Sequence, residues 1–313
     1  MAAENKRRDS PMTDLKHPNP AFPTAEEDDR IASHPVETPQ TRSPSYRLAF
    51  ADHEFLLREE LRPVRMQLEL LKPELMQQDY GIKSTIVIFG SARIPEEEIA
   101  CRDLEAAEAR LRAAPGDPAA ERAVRVARSI LAKSAYYDEA RKLGHMITSD
   151  GQCPGRCELV VITGGGPGIM EAANRGAFDA NGRSIGLNIV LPHEQNPNPY
   201  ITPELSFQFH YFAMRKLHFL LRAKALVAFP GGFGTLDELF ETLTLIQTRK
   251  VKPVPVLLFG KAYWDRIIDF EAMVEEGTVD AGDLDLFRFA ETAEEAWSHI
   301  VDFYAGTGLV RGR

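Results

Sequence analysis

The strongest constraint on the fold is a set of short apolar runs, each followed by small residues and then by a helical stretch. The runs are Thr85–Phe89, Leu159–Thr163, Ile185–Leu191, Phe207–Phe209, Leu226–Phe229 and Val254–Phe259. Several are apolar on both faces, the pattern of strands covered by helices on each side, and such strands belong to parallel sheets. The expected class is α/β, a Rossmann-like doubly wound parallel sheet with helices on both faces and its ligand at the carboxyl ends of the strands. A chain of 313 residues that is 44% hydrophobic and 27% charged has enough apolar material to bury such a core.

The flanking segments differ in pattern. Residues 1–45 are rich in proline (Pro11, Pro18, Pro20, Pro23, Pro35, Pro39, Pro44) and mixed charge, and read as a disordered arm. Residues 46–84 read as a helical extension. Phe55, Leu56, Leu61, Val64, Leu68, Leu71 and Leu75 recur there at helical spacing from Asp52 to Gln78, with Pro63 and Pro73 as points of break or kink. Residues 85–313 form the nucleotide-binding domain. An Ala-, Glu- and Arg-rich insertion at about 95–134, interrupted by Pro115, Gly116, Asp117 and Pro118, reads as a solvated helical hairpin.

The net charge of -9 offers no cationic excess for a polyphosphate backbone, so nucleic acid is not an expected partner. No apolar stretch approaches the length of a membrane span, and Lys6, Arg7 and Arg8 precede no apolar leader core. The cysteines, Cys101, Cys153 and Cys157, suit free thiols in a reducing compartment, and the C-x3-C pair lacks the further soft ligands that zinc requires. A cytoplasmic location is expected, with neither metal nor cofactor required.

Glycine-rich segments close the candidate strands: Gly90-Ser91-Ala92-Arg93, Gly164–Glu171 and Pro230–Glu238. Without a Cβ the backbone can approach a phosphate, and the N–H groups opening the next helix point at it with the favourable end of the helix dipole. The dinucleotide fingerprint fails because Ile169 stands where it needs glycine, and no P-loop pattern occurs. A mononucleotide is the better ligand. On this reading Gly231, Gly232, Gly234 and Thr235 receive a 5'-phosphate, Gly165, Gly166 and Gly168 line the facing wall, and Ser91 reaches ribose or phosphate.

Gly164–Glu171 with its continuation to Ala177, the Met214-Arg215-Lys216 triplet and Pro230–Glu238 together resemble the LOG (LONELY GUY) family of cytokinin riboside 5'-monophosphate phosphoribohydrolases, formerly often labelled lysine decarboxylases. The resemblance spans roughly residues 85–303 and is closest to the longer bacterial type. It implies a homodimer or larger homo-oligomer that hydrolyses the N-glycosidic bond of a purine nucleoside 5'-monophosphate, with Arg215 and Glu238 as catalytic residues.

The residues themselves leave alternatives open. Glu238 can stabilise the positive charge of a glycosidic transition state or orient water, yet Thr235-Leu236-Asp237-Glu238 also reads as a capping box. Arg215, His218 and Arg222 share a helix face; Arg215 can clamp phosphate or ribose, whereas His218 reads as structural. Lys216 reads as a surface or phosphate-steering charge, and Asp237 and Glu241 as solvated or supporting groups. Glu171 suits either its helix dipole or a ligand. His210 and Met214 border the base or belong to the core. The competing functions are a nucleotide or molybdenum-cofactor carrier, which has no use for an Arg215 and Glu238 pair, and a pyridoxal phosphate enzyme built on Lys216 or Lys224.

Overall fold

The computed structural model describes residues 22–192 and 196–310. The first part of the expected arm, residues 1–21 with Pro11, Pro18 and Pro20, lies outside the described residues. The chain divides into two compact units, with the boundary between Tyr80 and Gly81.

In the first unit, α1 (Ala25–Ala32) interrupts the stretch read as unstructured. Thr24 and Glu27 cap it reciprocally, and it buries no side chain, so the local cap accounts for it rather than packing. The continuous helix expected from Asp52 is instead α2 (His53–Leu56) followed by α3 (Arg62–Asp79). Arg65 Nη1 bridges the break by donating to the Leu56 and Arg58 carbonyls at 2.8 and 2.6 Å. Pro63 falls in the first turn of α3, where a missing N–H costs nothing, and the helix continues through Pro73.

The second unit runs β1 (Thr85–Phe89), α4 (Glu97–Ala113), α5 (Pro118–Leu131), α6 (Ala135–Gly151), β2 (Gln152–Cys153), β3 (Arg156–Cys157), β4 (Val160–Thr163), α7 (Ile169–Asp179), β5 (Ser184–Ile189), β6 (Ser206–Phe209), α8 (Phe212–Leu221), β7 (Ala223–Ala228), α9 (Phe233–Gln247), β8 (Val256–Phe259), α10 (Lys261–Ile267), α11 (Phe270–Glu275), β9 (Arg288–Ala290) and α12 (Ala293–Phe303). The main sheet has seven strands in the order β6-β5-β4-β1-β7-β8-β9, all parallel. Every residue of β1, β4 and β8 is buried, as their apolar faces require.

Ile86 and Ile88 of β1 join Val161, Val227 and Leu257 in a core closed by Tyr137 and Leu143 of α6, Ile169 and Ala173 of α7, and Ala296 and Ile300 of α12. On the opposite face Phe89 meets Phe219 of α8 edge to face, with ring centroids 4.7 Å apart. α4 and α5 form the expected hairpin, in which Asp117 caps α5 and Arg128 reaches Glu108 at 2.8 Å. The β2–β3 hairpin was not legible in the sequence; its register sets Cys153 opposite Arg156, and all three cysteines are free.

From β1 the chain fills one side of the sheet through β4, β5 and β6, and then crosses to β7, β8 and β9 on the other. The winding therefore reverses between β1 and β7, and loops diverging from such a point leave a crevice for a ligand. Here they are stitched together: the Phe229 N–H donates to the Phe89 carbonyl at 2.8 Å and the Ser91 N–H to the Pro230 carbonyl at 3.0 Å.

Candidate active site

The loop after β7 decides how α9 begins. Gly232 is the N-cap and makes no side-chain cap, and the Leu236 N–H is bonded back to the Gly232 carbonyl at 3.0 Å. Thr235 is therefore already inside the helix, and Glu238 is not the partner in a capping box. The N–H groups of Phe233, Gly234 and Thr235 lie at the positive helix end with no intrahelical acceptor. A Cβ on Gly232 or Gly234 meets nothing within 4 Å, so these glycines face open space. Thr235 is buried, and its hydroxyl lies against Gly231, where a Cβ has no room.

Arg215 on α8 and Glu238 on α9 come together beside this loop, Nη1 to Oε1 at 3.9 Å, with both side chains largely buried. Arg215 Nε donates to the Leu187 carbonyl at 2.7 Å, and the guanidinium lies 5.1 Å from the centre of the Phe219 ring. A Cβ on Gly164 would fall 2.7 Å from Arg215 Nη2 and 2.8 Å from Met170 Sδ. The first glycine of that loop thus makes room for Arg215. Burial pushes the Glu238 carboxyl up to about 7 against the pull of Arg215 and then Lys216, with Glu241 and Asp237 adding to the rise. Burial also lowers Arg215, and Glu238 opposes that.

Lys216, read from sequence as a surface or phosphate-steering charge, is largely buried and paired with carboxylates. Its ammonium lies 2.8 Å from Asp237 and 3.1 Å from Glu241, both on α9. Burial works against its charge, yet hydrogen bonds to those carboxylates hold its pKa above the ordinary value. Asp237 and Glu241 thereby support the position of α8 on α9.

The facing loop is held by a buried polar network that sequence reasoning did not find. Asn198 donates its N–H to the Gly165 carbonyl at 2.9 Å, and its Nδ2 lies 3.3, 3.1 and 3.0 Å from Gly165 O, Gly166 O and Asn174 Oδ1. Thr163 Oγ1 donates to Asn174 Oδ1 at 2.7 Å and accepts the Gly165 N–H at 3.0 Å. That N–H is therefore engaged within the protein, and the Asn188 carboxamide fills the space a Gly165 side chain would take. Gly168 is packed against Ser91 and Ala92, and Ser91 accepts the Ile169 N–H at 3.2 Å.

Glu171 has a protein partner: it accepts the Tyr137 hydroxyl at 3.0 Å. Arg175, one turn on, bonds Glu96 at 3.1 Å and so ties α7 to the loop after β1. Met214 is half-buried beside Arg215, His210 is exposed with its ring against Tyr211, and His218 is buried in α8. Arg222, at the end of α8, donates to the Ile82 carbonyl at 3.2 Å, away from Arg215. Among the described residues no group of three or more His, Cys, Asp or Glu side chains converges as a metal site, and no helix is long and apolar enough to cross a membrane.

A family model described as "Possible lysine decarboxylase" matches residues 170–300. Cytokinin riboside 5'-monophosphate phosphoribohydrolase LOG3 of Arabidopsis thaliana is 30% identical over 175 residues, covering 55% of this chain and 77% of that protein. LOG4 of the same plant, with the same activity in its name, is 31% identical over 175 residues, again covering 55% and 77%. The chain belongs to the LOG family. The solved structure of the molybdenum cofactor binding protein from Rippkaea orientalis aligns with 71% of this chain and 98% of its own, at 19% identity and a TM-score of 0.43. In this LOG-family chain the matched residues 170–300 include both members of the Arg215 and Glu238 pair and the whole Pro230–Glu238 loop.

Proposed function

We propose that this chain hydrolyses the N-glycosidic bond of a purine nucleoside 5'-monophosphate, of the cytokinin type or plain AMP, releasing free base and ribose 5-phosphate. The observation that carries the reading is the buried Arg215 and Glu238 pair next to an open, N–H-lined glycine loop. The 5'-phosphate occupies the N-terminus of α9, where Gly232, Gly234 and Thr235 receive it. Glu238 then faces the sugar. Its carboxylate stabilises the charge that develops at C1' as the bond to the base breaks, and it takes a proton from the water whose oxygen bonds to C1'. The departing base acquires a proton as it leaves.

A carboxyl that titrates near neutrality can hold and return that proton at working pH. Arg215 keeps Glu238 partly ionised despite its burial and offers donors to phosphate or ribose. The activity named for the relatives LOG3 and LOG4 supports the same chemistry. A Schiff-base enzyme built on Lys216 is disfavoured, because its amine is held charged by Asp237 and Glu241, whereas attack on a carbonyl needs the neutral form. Phe233, the first residue of α9, is exposed beside the loop and offers an apolar ring to a purine.

The test is incubation of the purified protein with AMP, isopentenyladenosine monophosphate, GMP and CMP, following free base and ribose 5-phosphate by chromatography. Base release abolished by Glu238→Ala and by Arg215→Ala supports the reading. Binding of a nucleotide without release refutes it in favour of a carrier.

A further inference from the structure

The side chains of Arg215 and Glu238 leave open what fixes the peptide between Gly231 and Gly232. The chain leaves β8 at Gly260, whose φ of +82° turns it sharply and starts α10 at the next residue. The Gly260 N–H donates to the Ala290 carbonyl at 2.9 Å. Trp264 of α10 is fully buried, and its Nε1 donates to the Phe259 carbonyl at 3.0 Å. α10 is thereby fixed to the end of β8, and Tyr263 is carried over the neighbouring loop. Its hydroxyl donates to the Gly231 carbonyl at 2.5 Å.

That carbonyl shares a peptide plane with the Gly232 N–H. In a trans peptide the two point in opposite directions, and the chain has no cis bonds among its described residues. Holding the Gly231 oxygen toward α10 therefore turns the Gly232 N–H the other way. The space around Gly232 is open, and two glycines in succession leave the peptide free to flip when nothing anchors it.

We infer that Tyr263 is a positioning residue for anion binding: by holding the Gly231 carbonyl it aims the Gly232 N–H at the 5'-phosphate. The inference rests on the proposed phosphate site but not on the proposed hydrolysis. Tyr263 does not touch the ligand. Burial raises its pKa, so the hydroxyl stays a donor at neutral pH.

Tyr263→Phe keeps the ring and deletes only the donor. Calorimetry with ribose 5-phosphate and with AMP on both proteins, and with adenosine as the phosphate-free probe, separates aiming from general damage. The expected result is affinity for ribose 5-phosphate and AMP weaker by roughly five- to tenfold, the size of one well-made hydrogen bond, with adenosine affinity unchanged. In turnover the same change raises KM for AMP and leaves kcat near the wild-type value. Unchanged affinity for the phosphate-bearing ligands overturns the inference, as does an equal loss for adenosine, or a wild-type protein that binds no phosphate-bearing ligand. Phosphate-selective weakening in a protein that releases no base sustains the role of Tyr263 while refuting the hydrolase.

Discussion

Glu238 should make the free protein less stable at alkaline pH, and removing its charge should relieve that cost. The carboxyl moves from an ordinary 4.5 to about 7 on folding, chiefly through burial. Between those values the folded protein keeps a proton that the unfolded chain has lost. Stability therefore falls as pH rises through that window and is flat on either side. The difference between 4.5 and about 7, at about 1.4 kcal/mol per pH unit, is about 3 kcal/mol at pH 8.5. The attraction of Arg215 is already contained in the value of about 7. Glu238→Gln preserves the shape and cannot ionise, so it should be more stable than wild type by up to about 3 kcal/mol at pH 8.5 and nearly equal to it at pH 4.5. For a folded unit of this size that is a rise in Tm of roughly 6–12 °C at the higher pH. Calorimetric unfolding at the two pH values, without phosphate in the buffer, measures it. A difference independent of pH, or a wild type that is the more stable at pH 8.5, refutes the reasoning.

If ionised Glu238 carries the reaction, kcat/KM should rise with pH through about 7 and then level off. Lys216→Met removes a charge that lowers the Glu238 pKa, so the midpoint of that profile should move upward. Gly164→Ala should displace Arg215 and Met170, since its Cβ would lie within 3 Å of both; turnover should drop at least tenfold while the far-ultraviolet circular dichroism stays that of the wild type. Asn198→Ala leaves the Gly165 and Gly166 carbonyls without their side-chain donor. It should lower the unfolding free energy measured in urea by about 1–3 kcal/mol.

The sheet was legible from sequence because a strand covered on both faces must be apolar at every position, and Thr85–Phe89 and Leu226–Phe229 carry that mark locally. β9 was not, because the short edge segment Arg288–Ala290 has only Ala290 buried and its pattern says little. The glycine loops and the Arg215 and Glu238 candidates were readable as residue types in a recognisable order. Their physical meaning was not. Whether Thr235 caps a helix depends on where α9 starts, and tertiary packing starts it at Phe233. Gly164 and Gly165 look alike in sequence, yet one makes room for Arg215 and the other for Asn188, each brought in from a different part of the chain. Asn198 and Tyr263 act on carbonyls of distant loops and share no periodicity with them, so no local signal marks them. The sequence alone determined most of the sheet's strands and the glycine-rich turns that follow them, since those follow from side-chain pattern and backbone freedom within a few residues. Only the tertiary structure decided the burial that lifts Glu238 to about 7 and the contacts that hold the loops, because desolvation and long-range hydrogen bonds are properties of neighbours that the chain brings together only when folded.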